Sequence, residues 1–183
     1  MRRSGGRFLT RDGENQHVDR TTVLTTDRAR LTTWRPSDLT DLHVLHSDPE
    51  TMRRIRPGRP ETLDETRARL TAYLDGAGGE GTKWRVESHA GSFLGRAGFG
   101  GDAGCRELGY TLLPQAWGRG LATEIAVALV AWHRDHPLPE PPGELTAYAA
   151  LDNPASCRVL AKAGLTPVGE VEHNGWRSAY FRL

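Results

Sequence analysis

The stretch from Leu108 to Glu124, LGYTLLPQAWGRGLATE, constrains the chain more than any other. An apolar run, Leu108 to Leu113, stops at Pro114; Gln115-Ala-Trp-Gly-Arg-Gly120 follows, and Leu121 to His133 then carries alanines and branched apolar residues without a breaker. This order predicts a strand, a tight glycine loop and a helix. Gly118 and Gly120 lack a Cβ, so the chain can turn sharply there and let a ligand approach the main chain. The first N–H groups of the helix have no internal partner, and with the positive helix end they suit a phosphate.

Two familiar glycine loops fit badly. A Walker loop needs Lys-Ser or Lys-Thr after its last glycine, and a dinucleotide fingerprint needs a third glycine at the right spacing; here Leu121-Ala122-Thr123 follows Gly120. What remains, Gln-x-x-Gly-x-Gly at a strand-to-helix junction, resembles the acetyl-CoA pyrophosphate loop of the GNAT N-acetyltransferase superfamily. A second stretch, Asn153-Pro-Ala-Ser156-Cys157-Arg-Val-Leu-Ala-Lys-Ala-Gly164-Leu165, is similar to the helix that lies beside the pantetheine arm in the same superfamily. Thr26 to Leu39, Asp48-Pro-Glu50 and Glu107-Leu-Gly-Tyr110 bring the similarity closest to the branch named for ribosomal-protein N-terminal acetylation. It extends over about Thr22 to Leu183.

The remaining segments are consistent with one α/β domain. Val23 to Arg35 reads as a first strand, Ser37 as the cap of a helix running to His46, and Thr62-Leu-Asp-Glu65 as a capping box opening a second helix that continues to Leu74 before a loop from Gly76 to Gly81. Thr82–Ser88 and Ser92–Phe99 are two strands joined at His89-Ala-Gly91, and Gly100 to Gly104 turns into the cofactor strand. The proline-rich run from His136 to Gly143 is a connector. Leu145–Ala149 is a strand, Ala155–Ala163 a helix stopped by Gly164, and Thr166–Glu172 with Trp176–Arg182 a hairpin around Asn174-Gly175. The expected architecture is a mixed, mostly antiparallel GNAT-type sheet with helices on both faces and strands splayed at the cofactor site. Residues 1–21, with Arg2, Arg3, Arg7 and Arg11 among glycines, are expected to form a disordered leader, and residues 22–183 a single acetyltransferase domain.

A formal net charge of +1 predicts neither a nucleic-acid nor a membrane surface. Two cysteines, Cys105 and Cys157, are too few for a disulfide framework, so a cytoplasmic chain with free thiols is expected, monomeric or homodimeric. The pairs His43/His46 and His133/His136 each have i,i+3 spacing, but no acidic or cysteine partner completes a ligand set, so no metal is expected.

Acetyl transfer from a thioester to an amine needs a rigidly held donor, a deprotonated amine and a protonated leaving thiolate. Positioning alone can offset on the order of 7 to 11 kcal/mol of barrier. The resemblance implies that main-chain groups around Leu112 and Leu113 hold the pantetheine. It also implies that the N–H groups of Trp117, Gly118, Arg119, Gly120, Leu121 and Ala122 meet the pyrophosphate, with Gln115, Arg119 and the Thr123 hydroxyl as additions. Asn153 is a pantetheine ligand, a helix N-cap, or both. Ser156 could donate toward the sulfur or cap the helix, and Cys157 is a small packing residue. An acceptor amine with an ordinary pKa of about 7.7 to 10.4 is mostly protonated at neutral pH. The resemblance places Glu107 on the acceptor side as the base, an exposed strand-end glutamate being the other reading; Glu124, which would repel phosphate, reads as structural. The arginine- and proline-rich run from Met52 to Pro60 is either part of the acceptor side or a solvated loop. The implied function is acetyl transfer from acetyl-CoA to a protein N-terminus or small-molecule amine through a ternary complex. The alternative is a catalytically silent module of the same fold that binds coenzyme A as a sensor or interaction protein.

Overall fold

A computed structural model of the chain describes residues 20–55, 57–76, 83–101, 104–138 and 143–183. Most of the expected leader, the centre of the Gly76–Gly81 loop, part of the Gly100–Gly104 turn and of the proline connector, Arg56 and Thr82 therefore lie outside the described residues. Among the described residues eight strands form one sheet: β1 (Thr22–Thr25), β2 (Ala29–Thr32), β3 (Lys83–Ser88), β4 (Phe93–Gly100), β5 (Cys105–Leu112), β6 (Glu144–Ala150), β7 (Thr166–His173) and β8 (Trp176–Arg182). Their spatial order is β1-β2-β3-β4-β5-β6-β8-β7. All neighbours pair antiparallel except β5 and β6. Among the described residues five α-helices accompany the sheet: α1 (Leu39–Ser47), α2 (Pro49–Met52), α3 (Leu63–Asp75), α4 (Leu121–Asp135) and α5 (Pro154–Lys162).

Two local expectations are corrected. The predicted single strand from Val23 to Arg35 is a hairpin, because Thr26 closes a turn: its N–H reaches the Ala29 carbonyl at 2.8 Å and its hydroxyl accepts the Ala29 N–H at 3.1 Å. Ser37 does not cap α1; a 3-10 turn over Pro36–Asp38 precedes that helix, and the Asp38 carboxylate takes the Arg35 N–H at 2.8 Å. The Thr62 capping box forms in both directions, with Glu65 N–H on the Thr62 hydroxyl at 3.2 Å and Thr62 N–H on the Glu65 carboxylate at 2.8 Å. At the β7–β8 turn, Asn174 and Gly175 both take positive φ, 57° and 79°, as a two-residue hairpin turn of matching twist requires.

Strand alternation sorts the sheet into two unlike faces. Trp84, Val86, Ala97 and Phe99 point under α4, where Ile125, Ala126, Leu129 and Val130 close the main core. The opposite side chains, Arg85 and Arg96, point under α1 and α3: Arg85 lies 2.7 Å from Asp41, and Arg96 donates to His46 at 2.9 Å. A smaller apolar cluster of Trp34, Leu42 and Leu70 sits on that side.

Candidate functional site

The site begins where the one parallel ladder fails. β5 and β6 pair from Cys105↔Glu144 to Leu108↔Ala147 and no further, although the strands continue to Leu112 and Ala150. On its other edge β5 stays paired to β4 out to Gly95↔Leu112, so the two parallel strands part while β5 keeps its place. The Leu113 N–H is bound to the Leu94 carbonyl at 2.9 Å. By alternation, Thr111 and Gly109 then also address β4, and the main-chain groups of Tyr110 and Leu112 address the opening. The Leu112 carbonyl is taken by the Trp117 indole N–H at 2.7 Å. The open groups are therefore those of Tyr110 and the N–H of Leu112, one residue earlier than the expected pair Leu112 and Leu113. A cleft of about 870 Å³ occupies the opening.

Of the loop residues expected to bind cofactor, Leu112, Trp117, Gly118, Gly120, Leu121, Ala122 and Thr123 line this cleft, whereas Leu113, Gln115 and Arg119 do not. Gly118 and Gly120 have φ of +73° and +78°. A Cβ at Gly118 would meet nothing within 4 Å, and one at Gly120 only Arg28 Nη2 at 3.6 Å, so glycine is needed for backbone sign rather than for space. Gly120 is the N-cap of α4 and brings no side chain to its first N–H groups, which belong to residues lining the cleft and have no acceptor among the described residues. Glu124 does not oppose an anion there. Its carboxylate accepts from the Arg28 N–H at 2.9 Å and Nε at 2.6 Å, and Arg28 Nη1 also holds the Arg119 carbonyl at 2.7 Å. Burial acts to raise the Glu124 pKa, but hydrogen bonds from Thr26 and Arg28 outweigh it and leave the carboxyl below its ordinary range.

On α5, Asn153 Oδ1 accepts the Ser156 N–H at 3.2 Å, so the cap exists. The carboxamide also lines the cleft, and its NH₂ group has no protein acceptor among the described residues. Asn153 therefore has a free NH₂ donor to offer a ligand while its Oδ1 holds the cap. The Ser156 hydroxyl lies 2.8 Å from the Tyr110 hydroxyl. Burial pushes Tyr110 up to about 12, so the phenol stays protonated and orients the serine. Cys157 is a free thiol packed against the main core.

The half of the cleft over β3, β4 and β5 contains groups that sequence reasoning missed. Lys83, Gly98 and Gly109 stand side by side across three strands. The two glycines leave a floor on which the lysine lies: a Cβ at Gly109 would meet Lys83 Nζ at 2.9 Å. The ammonium thus reaches the point where β5 and β6 part, and its burial, with Arg96 beside it, lowers its pKa to about 8 against the pull of Glu107. Glu107 lines the cleft as expected, 3.3 Å from His173 Nε2, and His173 stacks on Tyr148 with ring centroids 3.7 Å apart. Behind this, Arg96 Nε–H donates to His46 Nε2 at 2.9 Å, which fixes the proton on Nδ1, 2.8 Å from Glu61. Burial, then Arg96, lowers His46 to about 4, so the imidazole is neutral. Arg54 and Ile55 of the Met52–Pro60 segment also line the cleft.

The histidine pairs have other partners: His43 faces the Thr66 hydroxyl at 3.1 Å, and His133 Nδ1 accepts from Arg106 at 3.1 Å. His136 stacks on Trp132. Among the described residues no helix is long and apolar enough to cross a membrane.

A sheet split at its parallel pair, with a glycine loop and a helix N-terminus at the mouth, defines an acetyltransferase domain. Residues 28–166 match the family model of the acetyltransferase (GNAT) domain, and the chain belongs to that family. Solved structures share the fold. A GNAT-family acetyltransferase from Bacillus anthracis superposes with TM-score 0.73 at 20% identity, over 87% of this chain and 96% of that one. RimL, a ribosomal L7/L12 alpha-N-protein acetyltransferase solved with coenzyme A, gives 0.74 at 17% identity over 89% and 97%. The aminoglycoside acetyltransferase AAC(6')-Ib, also solved with coenzyme A, gives 0.67 at 20% over 85% and 92%. A comparison with curated proteins finds no match.

Proposed function

We propose that the protein transfers the acetyl group of acetyl-CoA directly to a primary amine, both substrates being held together in the cleft. The observation that carries this reading is the opening of β5 from β6 next to unfilled main-chain donors at Gly120–Thr123. The donors suit the pyrophosphate. The Tyr110 and Leu112 main chain suits the pantetheine amides, with the Asn153 NH₂ as a further donor. Acetyl-CoA supplies an activated acyl carbon; the chain supplies position and proton traffic. Glu107 takes the amine's proton, directly or through water, with His173 holding the carboxylate. As the C–N bond forms and the C–S bond breaks, Ser156, oriented by Tyr110, donates toward the sulfur. The branch that acetylates ribosomal-protein N-termini is the resemblance nearest in motif, and a protein N-terminus is one acceptor the reading admits.

Thiol release from acetyl-CoA across a panel of amines and peptides tests the reading. Acceptor-dependent release is expected, and tight coenzyme A binding without it would leave the silent module. Glu107→Gln should lower kcat/KM on the order of a hundredfold at neutral pH and recover in part at high pH, where the amine is already neutral. Wild-type rates in that variant, with a flat pH profile, would remove Glu107 from the mechanism.

A further inference from the structure

We propose that the acceptor amine also carries an oxyanion, a carboxylate or a phosphate, and that Arg96 with Lys83 holds it. The inference rests on the acetyl-transfer reading and narrows its substrate class. Arg96 is only 5% exposed and lines the cleft. Its Nε–H is spent on His46, and its two Nη groups have no acceptor among the described residues. The imidazole is neutral, and the carboxylate behind it, Glu61, is forked onto Arg69, so Glu61, like Tyr73, acts on Arg96 only at a distance. Lys83 likewise has no carboxylate within ion-pair distance among the described residues, and Glu107 is engaged with His173. Arg54, by contrast, is offset by Asp152 at 3.6 Å.

Among the described residues, two cations with no carboxylate in ion-pair contact therefore share one partly desolvated cleft, Glu107 and Glu61 acting on them only from a distance. That arrangement is costly in the free protein and is relieved by an anionic ligand. The terminal fork of a guanidinium matches the paired oxygens of a carboxylate or phosphate, and Lys83 adds a point charge beside it. Glu107 stands on the strand edge where the amine must lose its proton. An acceptor with its amine toward Glu107 and its anion toward Arg96 is complementary to both ends. A polyamine or an aminoglycoside brings more positive charge to the same cations and is repelled.

The test measures acceptor-dependent thiol release with matched pairs: glutamate against its diamide, and O-phosphoethanolamine against ethanolamine, with spermidine and kanamycin as polycations. The anionic member of at least one pair should exceed its neutral partner tenfold or more in kcat/KM, and which pair responds separates carboxylate from phosphate. Arg96→Gln and Lys83→Met, each checked for cooperative thermal unfolding, should cut that advantage below threefold while the KM for acetyl-CoA stays within twofold. Equal rates within both pairs, or a preference for the polycations, would overturn the anion subsite and leave the transferase intact. Should no amine be turned over, the transfer reading fails, and binding decides the subsite alone. Calorimetric titration of coenzyme-A-saturated protein with glutarate or inorganic phosphate should show binding that weakens tenfold or more in Arg96→Gln or Lys83→Met; no binding of either anion to the wild type would refute it.

Discussion

Under α4 the sheet presents Trp84, Val86, Ala97 and Phe99, while under α1 and α3 the alternate positions of the same strands present Lys83, Arg85, Glu87 and Arg96. Arg85, Glu87 and Arg96 are each 5 to 6% exposed, so the second face is nearly as closed as the first. One side is held by apolar contact, which is indifferent to pH; the other is held by directional hydrogen bonds and ion pairs, which are not. The division follows the chemistry. In the proposed reading, backbone donors at the end of the apolar helix α4 meet the cofactor and charged side chains meet the acceptor.

The largest effect that would test this contrast is loss of packing under α4. Leu129 is fully buried in the main core, so Leu129→Ala should cost about 3 kcal/mol. For a chain of this size that lowers Tm by roughly 6 to 12 °C. The loss should be the same at pH 8 and pH 5. A marked pH dependence of the difference would mean that the apolar face is coupled to the ionic one, contrary to the division drawn here.

The second test turns on His46. The folded protein keeps this imidazole neutral down to about pH 4, whereas the unfolded chain protonates it near the ordinary 6.5. Between those values the unfolded state binds more protons, so stability falls as the pH drops through the window and is flat above it. From pH 7.5 to pH 5 the loss should be about 2 kcal/mol. Glu61, held below its usual range by hydrogen bonds from Arg69 and His46 that outweigh its burial, adds to the loss only at still lower pH. Denaturant melts should show the slope in the wild type and a flatter one in His46→Gln; equal slopes would place the acid sensitivity elsewhere.

These two faces were unequally legible in the sequence. The glycine loop, the Asn153 helix and the capping box rest on residues a few positions apart, and local spacing revealed them. Lys83-Trp-Arg-Val-Glu87 reads by alternation as a strand with one wet face, yet α1 and α3 cover the charged side. That covering, and the row Lys83–Gly98–Gly109, depend on pairing across segments far apart in the chain. The glycines at 98 and 109, inside otherwise good strands, were the available signal: glycine within a strand marks close approach by something else. His173 entered the site for the same reason, from a terminal hairpin whose place beside β6 is a matter of topology. The Leu113 N–H is bound to β4, and the groups facing the opening belong to Tyr110 and Leu112, because strand register decides which main-chain groups face it.

The third prediction returns to the cofactor mouth. Gly120→Glu places bulk and negative charge where the free N–H groups converge, and should weaken acetyl-CoA by tenfold or more, at least about 1.4 kcal/mol. Gly120→Ala separates the causes: it carries the strain of a positive φ, +78°, without the charge. Titration calorimetry showing equal losses in the two variants would assign the effect to backbone strain, and no loss in a folded Glu variant would sink the pyrophosphate assignment.

The smallest expected effect is also the most discriminating, because Asn153 does two jobs with two ends of one carboxamide. Its Oδ1 caps α5 through the Ser156 N–H, and its NH₂ is free toward the cleft. Asn153→Ala removes both, and should cost about 1 kcal/mol of stability from the lost cap and about 1 kcal/mol of coenzyme A affinity, roughly fivefold, from the lost donor. Asn153→Asp keeps the acceptor and places a negative charge at a helix N-terminus, so stability should be held or raised. It lacks the donor, so coenzyme A should still weaken. ADP ends before the pantetheine and should bind all three proteins alike. If the aspartate variant binds coenzyme A as the wild type does, or if alanine weakens ADP and coenzyme A equally alongside a lower Tm, then Asn153 is a cap and nothing more, and the pantetheine is held by the backbone of β5 alone.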